Sequence, residues 1–229
     1  MNSALLQTKI AFGYAKAASA VGGLFDLYRP TSSNIPLAPA NKIASLPAAF
    51  SVHAMGNFDF AKPADDRGPF FHALVDASQI KVGDYLVSEQ GGASPYYIAA
   101  CDALSPPLAV QTNRVVTVWT PGPAHPLGVS YVSGTVAATP ANSQVGTANE
   151  VALMSVWPAS VLYDGRVGGK AMLPEDAGAA RWQMLLPACA GVEIRAGSIV
   201  TDDLSERYIV TSAQATRFGW RLTAQQAVT

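Results

Sequence analysis

One β-pattern occurs twice in this chain. The first copy covers residues 80–89 (IKVGDYLVSE) and 97–100 (YIAA), and the second covers residues 194–203 (IRAGSIVTDD) and 208–211 (YIVT). In each copy a glycine marks a bend, a short apolar strand follows, and a second strand opens on Tyr-Ile after a polar turn. Glycine and polar residues in these places are typical of breaks between short strands. The repeat predicts two related β-units and favours a scaffold over a catalytic machine.

The rest of the chain supports a mainly β fold. Six short strands are predicted between residues 48 and 119: Ala49–His53, Phe70–Val75, Asp84–Ser88, Tyr96–Cys101, Leu108–Gln111 and Arg114–Trp119. Six more are predicted after residue 150: Val151–Trp157, Arg181–Leu186, Val192–Ile194, Ile199–Asp202, Tyr208–Ser212 and Gly219–Thr223. Short strands at such spacing indicate a small barrel or sandwich in each half.

A helix and an extended arm precede the first β-unit. Residues 3–21 predict a helix because Leu6, Ile10, Tyr14, Ala17 and Val21 fall on one stripe. An isolated helix of this length is marginal in water, so it must dock on its own β-domain or on a neighbour. Four prolines, at positions 30, 36, 39 and 47, predict an extended arm. The arm either wraps a neighbouring subunit or crosses its own domain as a strap.

The chain therefore divides into four predicted parts. Residues 1–47 are the helix and the proline-rich arm, and residues 48–120 are the first β-barrel-like unit. Residues 121–149 are a linker or excursion, since no Asp, Glu, Lys or Arg occurs between Arg114 and Glu150. Residues 150–229 are the second β-barrel-like unit. The predicted class is all-β, with two small related barrels or sandwiches and an N-terminal helix.

The composition suggests burial against other subunits. Charged residues make up 14% of the chain, against about 25% in typical soluble domains, while hydrophobic residues make up 49%. So few charges suit a surface that is covered in an assembly. A net charge of −1 argues against strong bulk attraction to nucleic acid or anionic lipid. We expect no membrane span and no secretory signal, because no long apolar run or signal-peptide pattern occurs.

Residues that could carry chemistry are scattered. His53, His72 and His125 have no ligand spacing, so we expect no metal site. Cys101 could form a triad with His72 and Asp76 or Asp102, but its surroundings resemble no known nucleophile motif, and a small apolar residue at a strand end is the favoured interpretation. Cys189 is the second cysteine, and both thiols are expected to be reduced and buried, although the two could pair.

Acidic pairs and glycine clusters have simple structural interpretations. The acidic pairs are Asp65-Asp66, Glu175-Asp176 and Asp202-Asp203, and adjacent carboxylates do not flank a scissile bond as glycoside hydrolysis needs. Asp202-Asp203 is predicted to form a hairpin turn through backbone contacts. Gly165 and Gly168-Gly169 precede no helical pattern, so a flexible turn is favoured over a phosphate loop. We expect no catalytic, cofactor-binding or metal-binding residues, and no cofactor.

Several segments resemble structural proteins of tailed bacteriophages and prophages. The resemblance begins at Thr8-Lys-Ile-Ala-Phe-Gly-Tyr and Tyr28-Arg-Pro and continues through Val82-Gly-Asp-Tyr-Leu-Val and Asn113-Arg-Val-Val-Thr. It extends through four C-terminal stretches: Val156-Trp-Pro-Ala-Ser, Trp182-Gln-Met-Leu-Leu-Pro, Arg207-Tyr-Ile-Val-Thr-Ser and Gly219-Trp-Arg-Leu-Thr. These motifs cover most of the chain outside the uncharged segment. They describe a fold and not a catalytic site.

The resemblance implies a component of the virion, assembled in the host cytoplasm. The implied role is an adaptor, stopper or collar ring in the neck that joins head to tail. Its partners would be copies of itself and the portal, adaptor or tail proteins, with DNA passing through the ring without sequence-specific binding. Two other classes remain open. One is a collar, fibre or baseplate module that binds host glycans, and the other is a hydrolase that uses Cys101 or a serine.

Overall fold

The computed structural model describes residues 3–52, 69–121, 150–166 and 180–227. Within these residues the chain forms one α-helix, α1 (Ser3–Val21), a short 3-10 turn (Pro39–Asn41) and twelve strands. The strands are β1 (Gly23–Tyr28), β2 (Lys42–Val52), β3 (Phe70–Leu74), β4 (Tyr85–Ser88), β5 (Tyr96–Ala100), β6 (Leu108–Gln111), β7 (Arg114–Pro121), β8 (Glu150–Arg166), β9 (Ala180–Leu186), β10 (Ile199–Asp202), β11 (Arg207–Thr216) and β12 (Gly219–Gln226). The predictions of a mainly β fold and of a helix over residues 3–21 are confirmed.

The strands form two closed barrels with the same topology. Around the first barrel the order is β1-β2-β3-β6-β5-β4, with β4 closing onto β1. Around the second it is β7-β8-β9-β12-β11-β10, with β10 closing onto β7. Each strand of the first barrel therefore has an equivalent six positions later in strand order. The duplication seen in the sequence as one motif extends over the whole barrel.

The repeated motif is the turn that leads into the fourth strand of each barrel. Gly83 and Gly197 have φ angles of 90° and 89°, which side chains disfavour and glycine allows. The N–H of Gly83 donates to Ile98 at 2.8 Å, and the N–H of Gly197 donates to Val210 at 2.8 Å. The backbone conformation of this turn thus requires glycine at both positions of the repeat.

The residue after each glycine closes this turn. The carboxylate of Asp84 accepts from the N–H of Lys81 at 2.7 Å, and the hydroxyl of Ser198 accepts from the N–H of Arg195 at 3.3 Å. A short polar side chain that accepts a local N–H is favoured in tight turns. The Gly-Asp and Gly-Ser dipeptides are therefore two versions of one turn.

The second half of the repeat is displaced by one residue from its sequence alignment. Tyr208 of the second barrel pairs with Val200, and the equivalent pair in the first barrel is Tyr96 with Leu86. The expected equivalence of the tyrosine at position 97 with Tyr208 is therefore wrong. A one-residue slip exchanges the faces of a strand, and side-chain packing decides which face is buried.

Equivalent aromatic pairs support the corrected register. The rings of Phe71 and Tyr96 meet edge to face at 5.5 Å between centroids. In the second barrel, Trp182 and Tyr208 meet in the same way at 5.6 Å. Edge-to-face contacts at this distance stabilise a core beyond simple area burial.

Each barrel encloses its own apolar core. The first is filled mainly by small and branched side chains: Leu27, Leu46, Ala48, Ala73, Val75, Ile80, Leu86, Ile98 and Ala109. The buried side chains of the second barrel include Met154, Trp157, Met184, Leu186, Val200 and Leu222. Complete burial of a Leu or Ile side chain contributes about 2 kcal/mol relative to exposure. Trp157 is a core residue and only 1% exposed.

The boundaries of the β-units differ from those expected. β1 and the start of β2 lie within residues 1–47, where only a helix and an arm were predicted. β7 belongs to the second barrel, so the compact units change at residues 113 and 114 and not at residue 120. β1 is short and was missed because its cross-strand partners in β2 and β4 stabilise it, and these contacts leave no local pattern.

Two other predictions need correction or lie outside the description. Residues 192–194 are not a strand, because they follow a turn in which Gly191 has a φ of 76°. The uncharged segment 121–149 was expected between the two units, but residues 122–149 connect β7 to β8 within the second barrel. Those connecting residues themselves lie outside the described part of the chain.

Candidate interaction surface

Helix α1 docks through small side chains. It packs on β2 and β3 of the first barrel, and its one wholly buried side chain among those described is Ala18. Ala11 and Ala15 lie on the same face and are half-buried. Gly22 follows the helix, and a Cβ added there would lie 2.5 Å from the carbonyl oxygen of Ala48. Small residues allow this close approach of helix and sheet.

Four apolar side chains of α1 are exposed on the surface. Phe12 is 71% exposed, Leu5 is 55% exposed and Val21 is 72% exposed. The predicted stripe is wrong for Leu6 and Val21, which are exposed, whereas its members Ile10, Tyr14 and Ala17 are half-buried. We call the exposed side chains Leu5, Leu6, Phe12 and Val21 the helix patch. Leu5 and Phe12 are seven residues apart and therefore lie on one face of the helix, and neighbouring exposed apolar side chains are typical of an interaction surface.

The proline-rich arm crosses the chain's own second barrel as a strap. The N–H of Ser155 donates to Ser33 at 3.0 Å, and the N–H of Ile35 donates to Ser155 at 3.0 Å. The indole N–H of Trp157 donates to the carbonyl of Ser33 at 2.6 Å. Residues 32–35 thereby belong to the second compact unit. The arm is therefore a strap within the chain, but residues 32–35 bind the second barrel and not the domain on which the strap was predicted.

A buried ion pair ties the start of the arm to the repeated turn. The guanidinium of Arg29 donates to both carboxylate oxygens of Asp84, at 2.9 and 2.6 Å, and to the carbonyl of Gln79 at 3.0 Å. The Asp84 side chain is 2% exposed, and its hydrogen bond raises the pKa of Arg29. The segments Tyr28-Arg-Pro and Val82-Gly-Asp, which are distant in sequence, therefore meet in one structural contact.

The acidic pair at Asp202-Asp203 forms the predicted hairpin turn. One oxygen of Asp202 accepts from the N–H groups of Leu204 at 3.0 Å and Glu206 at 2.9 Å. The other accepts from the hydroxyl of Tyr208 at 3.2 Å. Burial, followed by the charge of Asp202, raises the pKa of Tyr208. These contacts give the carboxylate a structural role.

Cys101 is a poorly activated thiol. It follows β5 at an exposed position, and neither it nor Cys189 is in a disulfide. Desolvation of the thiol and the negative charges of Asp84 and Asp102 raise its pKa to about 11. The thiolate is the nucleophilic form, so at neutral pH this thiol is almost wholly protonated. The expectation that the residue is buried is wrong, but its position at a strand end is confirmed.

Of the other residues considered for a triad, Asp102 acts on Cys101 through its charge, but His72 does not lie on a neighbouring strand. His72 lies in β3, and β6 separates β3 from β5 around the barrel. Strands two apart are separated by about 10 Å of backbone. Asp76 is occupied by hydrogen bonds from Ser78 and Gln79 in its own turn.

Several candidate residues fall outside the described part of the chain. These are His53, His125, Asp65-Asp66, Glu175-Asp176 and Gly168-Gly169. Over the residues that are described, no group of three or more His, Cys, Asp or Glu side chains could hold a metal ion. None of the helical residues described forms a segment long and apolar enough to cross a bilayer.

A shallow cleft on the second barrel is lined by polar residues. Its volume is about 320 Å³, and it is lined by Arg181, Thr211, Ser212, Thr223 and Gln225. Arg181 forms an ion pair with Asp164 at 3.1 Å, and Thr211 donates to the carbonyl of Thr223 at 3.1 Å. The described lining includes no aromatic ring, whereas we expect exposed Trp and Tyr side chains in the groove of a glycan-binding module.

Comparison with known proteins adds no relative. No family model, no curated protein and no solved structure matches the chain. Sequence patterns missed two surface features, namely the exposure of Phe12 away from the docked face of α1 and the part of β2 that does not pair with β3. Phe12 could have been found from its position outside the predicted stripe.

Proposed function

We propose that this chain is a structural component of a tailed bacteriophage particle. In this role it forms an oligomeric ring in the neck that joins the head portal to the tail, and it is assembled in the cytoplasm of the bacterial host. The supporting observation is the helix patch, because Phe12 and Leu5 are more than half exposed on a helix that docks through alanines. Burial of these side chains by sister copies would stabilise a ring.

Other features agree with this role. The charged fraction of 14% suits a surface that is largely covered in an assembly. The resemblance to phage structural proteins points to the neck in particular. The partners would be sister copies together with portal, adaptor or tail proteins. The high pKa of Cys101 and the structural use of Asp84 and Asp202 favour a scaffold over a hydrolase.

The experiment measures assembly of the purified full-length chain. Light scattering after size-exclusion chromatography and negative-stain electron microscopy would be carried out with and without portal protein. We expect closed rings of the wild-type chain. Phe12→Glu places a charge in the helix patch and should abolish rings while leaving the circular dichroism spectrum of the folded chain unchanged.

Leu104→Glu provides the matched control. Leu104 is 60% exposed and lies in the loop after β5, away from α1. This variant should form rings as the wild type does. A wild-type chain that stays monomeric alone and with portal protein would refute the proposal, as would rings of normal stability from Phe12→Glu. Mass spectrometry and cryo-electron microscopy of intact particles would then test the neck position.

A further inference from the structure

The peptide groups of β1 show which residues face each neighbouring strand. The N–H of Glu89 donates to the carbonyl of Leu24 at 3.1 Å, so Leu24 faces β4. Successive residues of a strand direct their peptide groups to opposite sides. Phe25 and Leu27 therefore face β2.

The same alternation leaves part of β2 unpaired. Ala44 and Leu46 are the partners of the β1 residues that face β2, so Ser45 between them directs its N–H and C=O groups away from β1, and Ile43 is the residue skipped by the register shift that follows. Strand β3 lies on that side but pairs with β2 only over Ala49–Val52. Among the described residues, no backbone hydrogen bond from outside the ladder reaches Ile43 or Ser45.

We call residues 43–47 of this strand the β2 edge. Ile43 is 49% exposed and Ser45 is also exposed. The next residue on this side, Pro47, has no N–H, which is typical of an edge position. Exposed N–H and C=O groups in a row are a template for pairing with another segment.

The equivalent edge of the second barrel is covered. Ala44 pairs with Leu27 and Met154 pairs with Val118, and these are equivalent positions of the two barrels. The residue after Met154 is Ser155. It is the residue whose N–H and C=O are both bound by the strap, with an isolated parallel bridge to Asn34. In the first barrel Ser45 alone lies between the partners of Leu27 and Phe25. In the second barrel Ser155 and Val156 both lie between the equivalent partners, so Ser155 occupies a bulge with one extra residue.

The origin of the strap suggests what covers the β2 edge. The strap belongs to residues 29–41, the connection between the first two strands of the first barrel. The equivalent connection of the second barrel is residues 122–149, which run from Pro121 to Glu150. These 28 residues contain no charged side chain, and a chain of this length spans up to about 90 Å. Each chain thus has two such strand edges and two connections between the first two strands of a barrel. The first connection, which contains the strap, already covers the edge at Ser155.

We propose that the β2 edge is the docking site for residues 122–149 of a neighbouring copy. Each connection then covers the edge of the next barrel in the series, first within the chain and then between chains. A contact of this head-to-tail kind closes into a ring when the rotation permits. The inference rests on the proposed ring assembly and names the contact that joins its copies.

Photo-crosslinking from the edge tests this contact in the full-length protein. Ile43 is replaced by p-benzoylphenylalanine, and unlabelled and ¹⁵N-labelled chains are mixed before assembly. We expect covalent capture of peptides from residues 122–149, with unlabelled chains joined to labelled ones. Capture only within single chains, capture of any other segment, or no capture in assembled rings would overturn the proposal.

A backbone variant provides an independent test. Ser45→Pro removes an N–H that points away from β1, so the β1–β2 ladder is kept while the edge loses a donor. We expect the dissociation constant of the ring to rise about tenfold or more. Ser45→Ala is the matched control, because it removes the hydroxyl that donates to Asp26 at 2.7 Å and keeps the N–H. It should form rings of wild-type stability.

The outcomes separate this inference from the proposed function. Rings that form normally in the Ser45→Pro variant, or whose Ile43 captures a different segment, would leave the ring proposal intact and refute the docking site. A wild-type chain that forms no ring refutes both. If circular dichroism shows that Ser45→Pro loses secondary structure, the crosslinking experiment alone decides whether residues 122–149 dock at the β2 edge.

Discussion

At the scale of single residues, the polar groups most suggestive of chemistry serve the fold. Asp84 accepts two hydrogen bonds from Arg29 and one from the N–H of Lys81 while its side chain is 2% exposed. A buried carboxylate without its partner is costly, because neither water nor a cation then compensates its charge. The sequence shows the two residues but not their contact, since they are 55 positions apart.

We expect Arg29→Leu to destabilise the fold strongly. The loss should be about 2–4 kcal/mol, somewhat below that of a fully buried pair because 30% of the Arg29 side chain is exposed. Urea denaturation followed by circular dichroism measures it. Arg195→Leu is the control, since Arg195 and Glu193 form a pair at 2.8 Å in full contact with solvent. That variant should unfold at the wild-type midpoint, and equal effects of the two substitutions would contradict the argument.

The Cys101 thiol gives a prediction of reactivity. A pKa of about 11, against an ordinary value of 9.0, leaves about 100-fold less thiolate at pH 8. The greater nucleophilicity of a more basic thiolate offsets part of this, so alkylation by iodoacetamide should be about tenfold slower than in the unfolded chain. The rate would be measured in a Cys189→Ser background and should rise with pH up to about 11. A fast reaction at pH 7 would reveal an activated thiol and revive the hydrolase alternative.

At the scale of elements, a close approach of backbones fixes helix α1. Gly22 leaves no room for a side chain, since an added Cβ would lie 2.5 Å from the carbonyl oxygens of both Ala18 and Ala48. Gly13, in the middle of the same helix, has nothing within 4 Å of such an atom. The close contact of helix and sheet therefore requires glycine at position 22, whereas no contact requires it at position 13.

We expect opposite effects from alanine at these two positions. Gly22→Ala should destabilise the protein by about 1–3 kcal/mol, because helix and sheet must move apart. Gly13→Ala should stabilise it by about 0.5–1 kcal/mol, because alanine loses less entropy in a helix. Thermal unfolding measures both, and a neutral Gly22→Ala would mean that the helix is not docked at this point.

At the scale of the whole molecule, each barrel has all its strands in one continuous stretch of chain. Residues 114–229 contain β7 to β12 but lack residues 32–35, which supply three hydrogen bonds to Ser155 and Trp157. A fragment of residues 114–229 should therefore form the second barrel with a lowered thermal midpoint.

A peptide should restore the missing contacts of that fragment. A synthetic peptide of residues 29–41 at tenfold excess over its dissociation constant should raise the midpoint by about 5 °C. The control peptide carries an N-methyl group at Ile35, which removes the N–H that donates to Ser155 at 3.0 Å. It should bind more weakly and raise the midpoint less. Equal effects of the two peptides, or no effect of either, would contradict the strap contacts.

The sequence by itself determined the features that are encoded locally. The helix over residues 3–21, the strands Leu108–Gln111 and Ile199–Asp202, and the turn at Asp202 were all predictable. Periodicity, turn residues and side chains that accept nearby N–H groups depend on neighbours within a few positions. The candidate surface was foreseen only in outline, as low charge and a helix that needs a partner.

The tertiary structure decided everything that depends on contacts distant in sequence. It decided that Tyr96 and not the following residue matches Tyr208, because the partner strand sets which face is buried. It decided that α1 docks through Ala18 and leaves Phe12 exposed, because helix and sheet fit most closely where side chains are small. It also decided that β7 belongs to the second barrel, since closure of a sheet depends on pairs between remote segments and not on the pattern within any one of them.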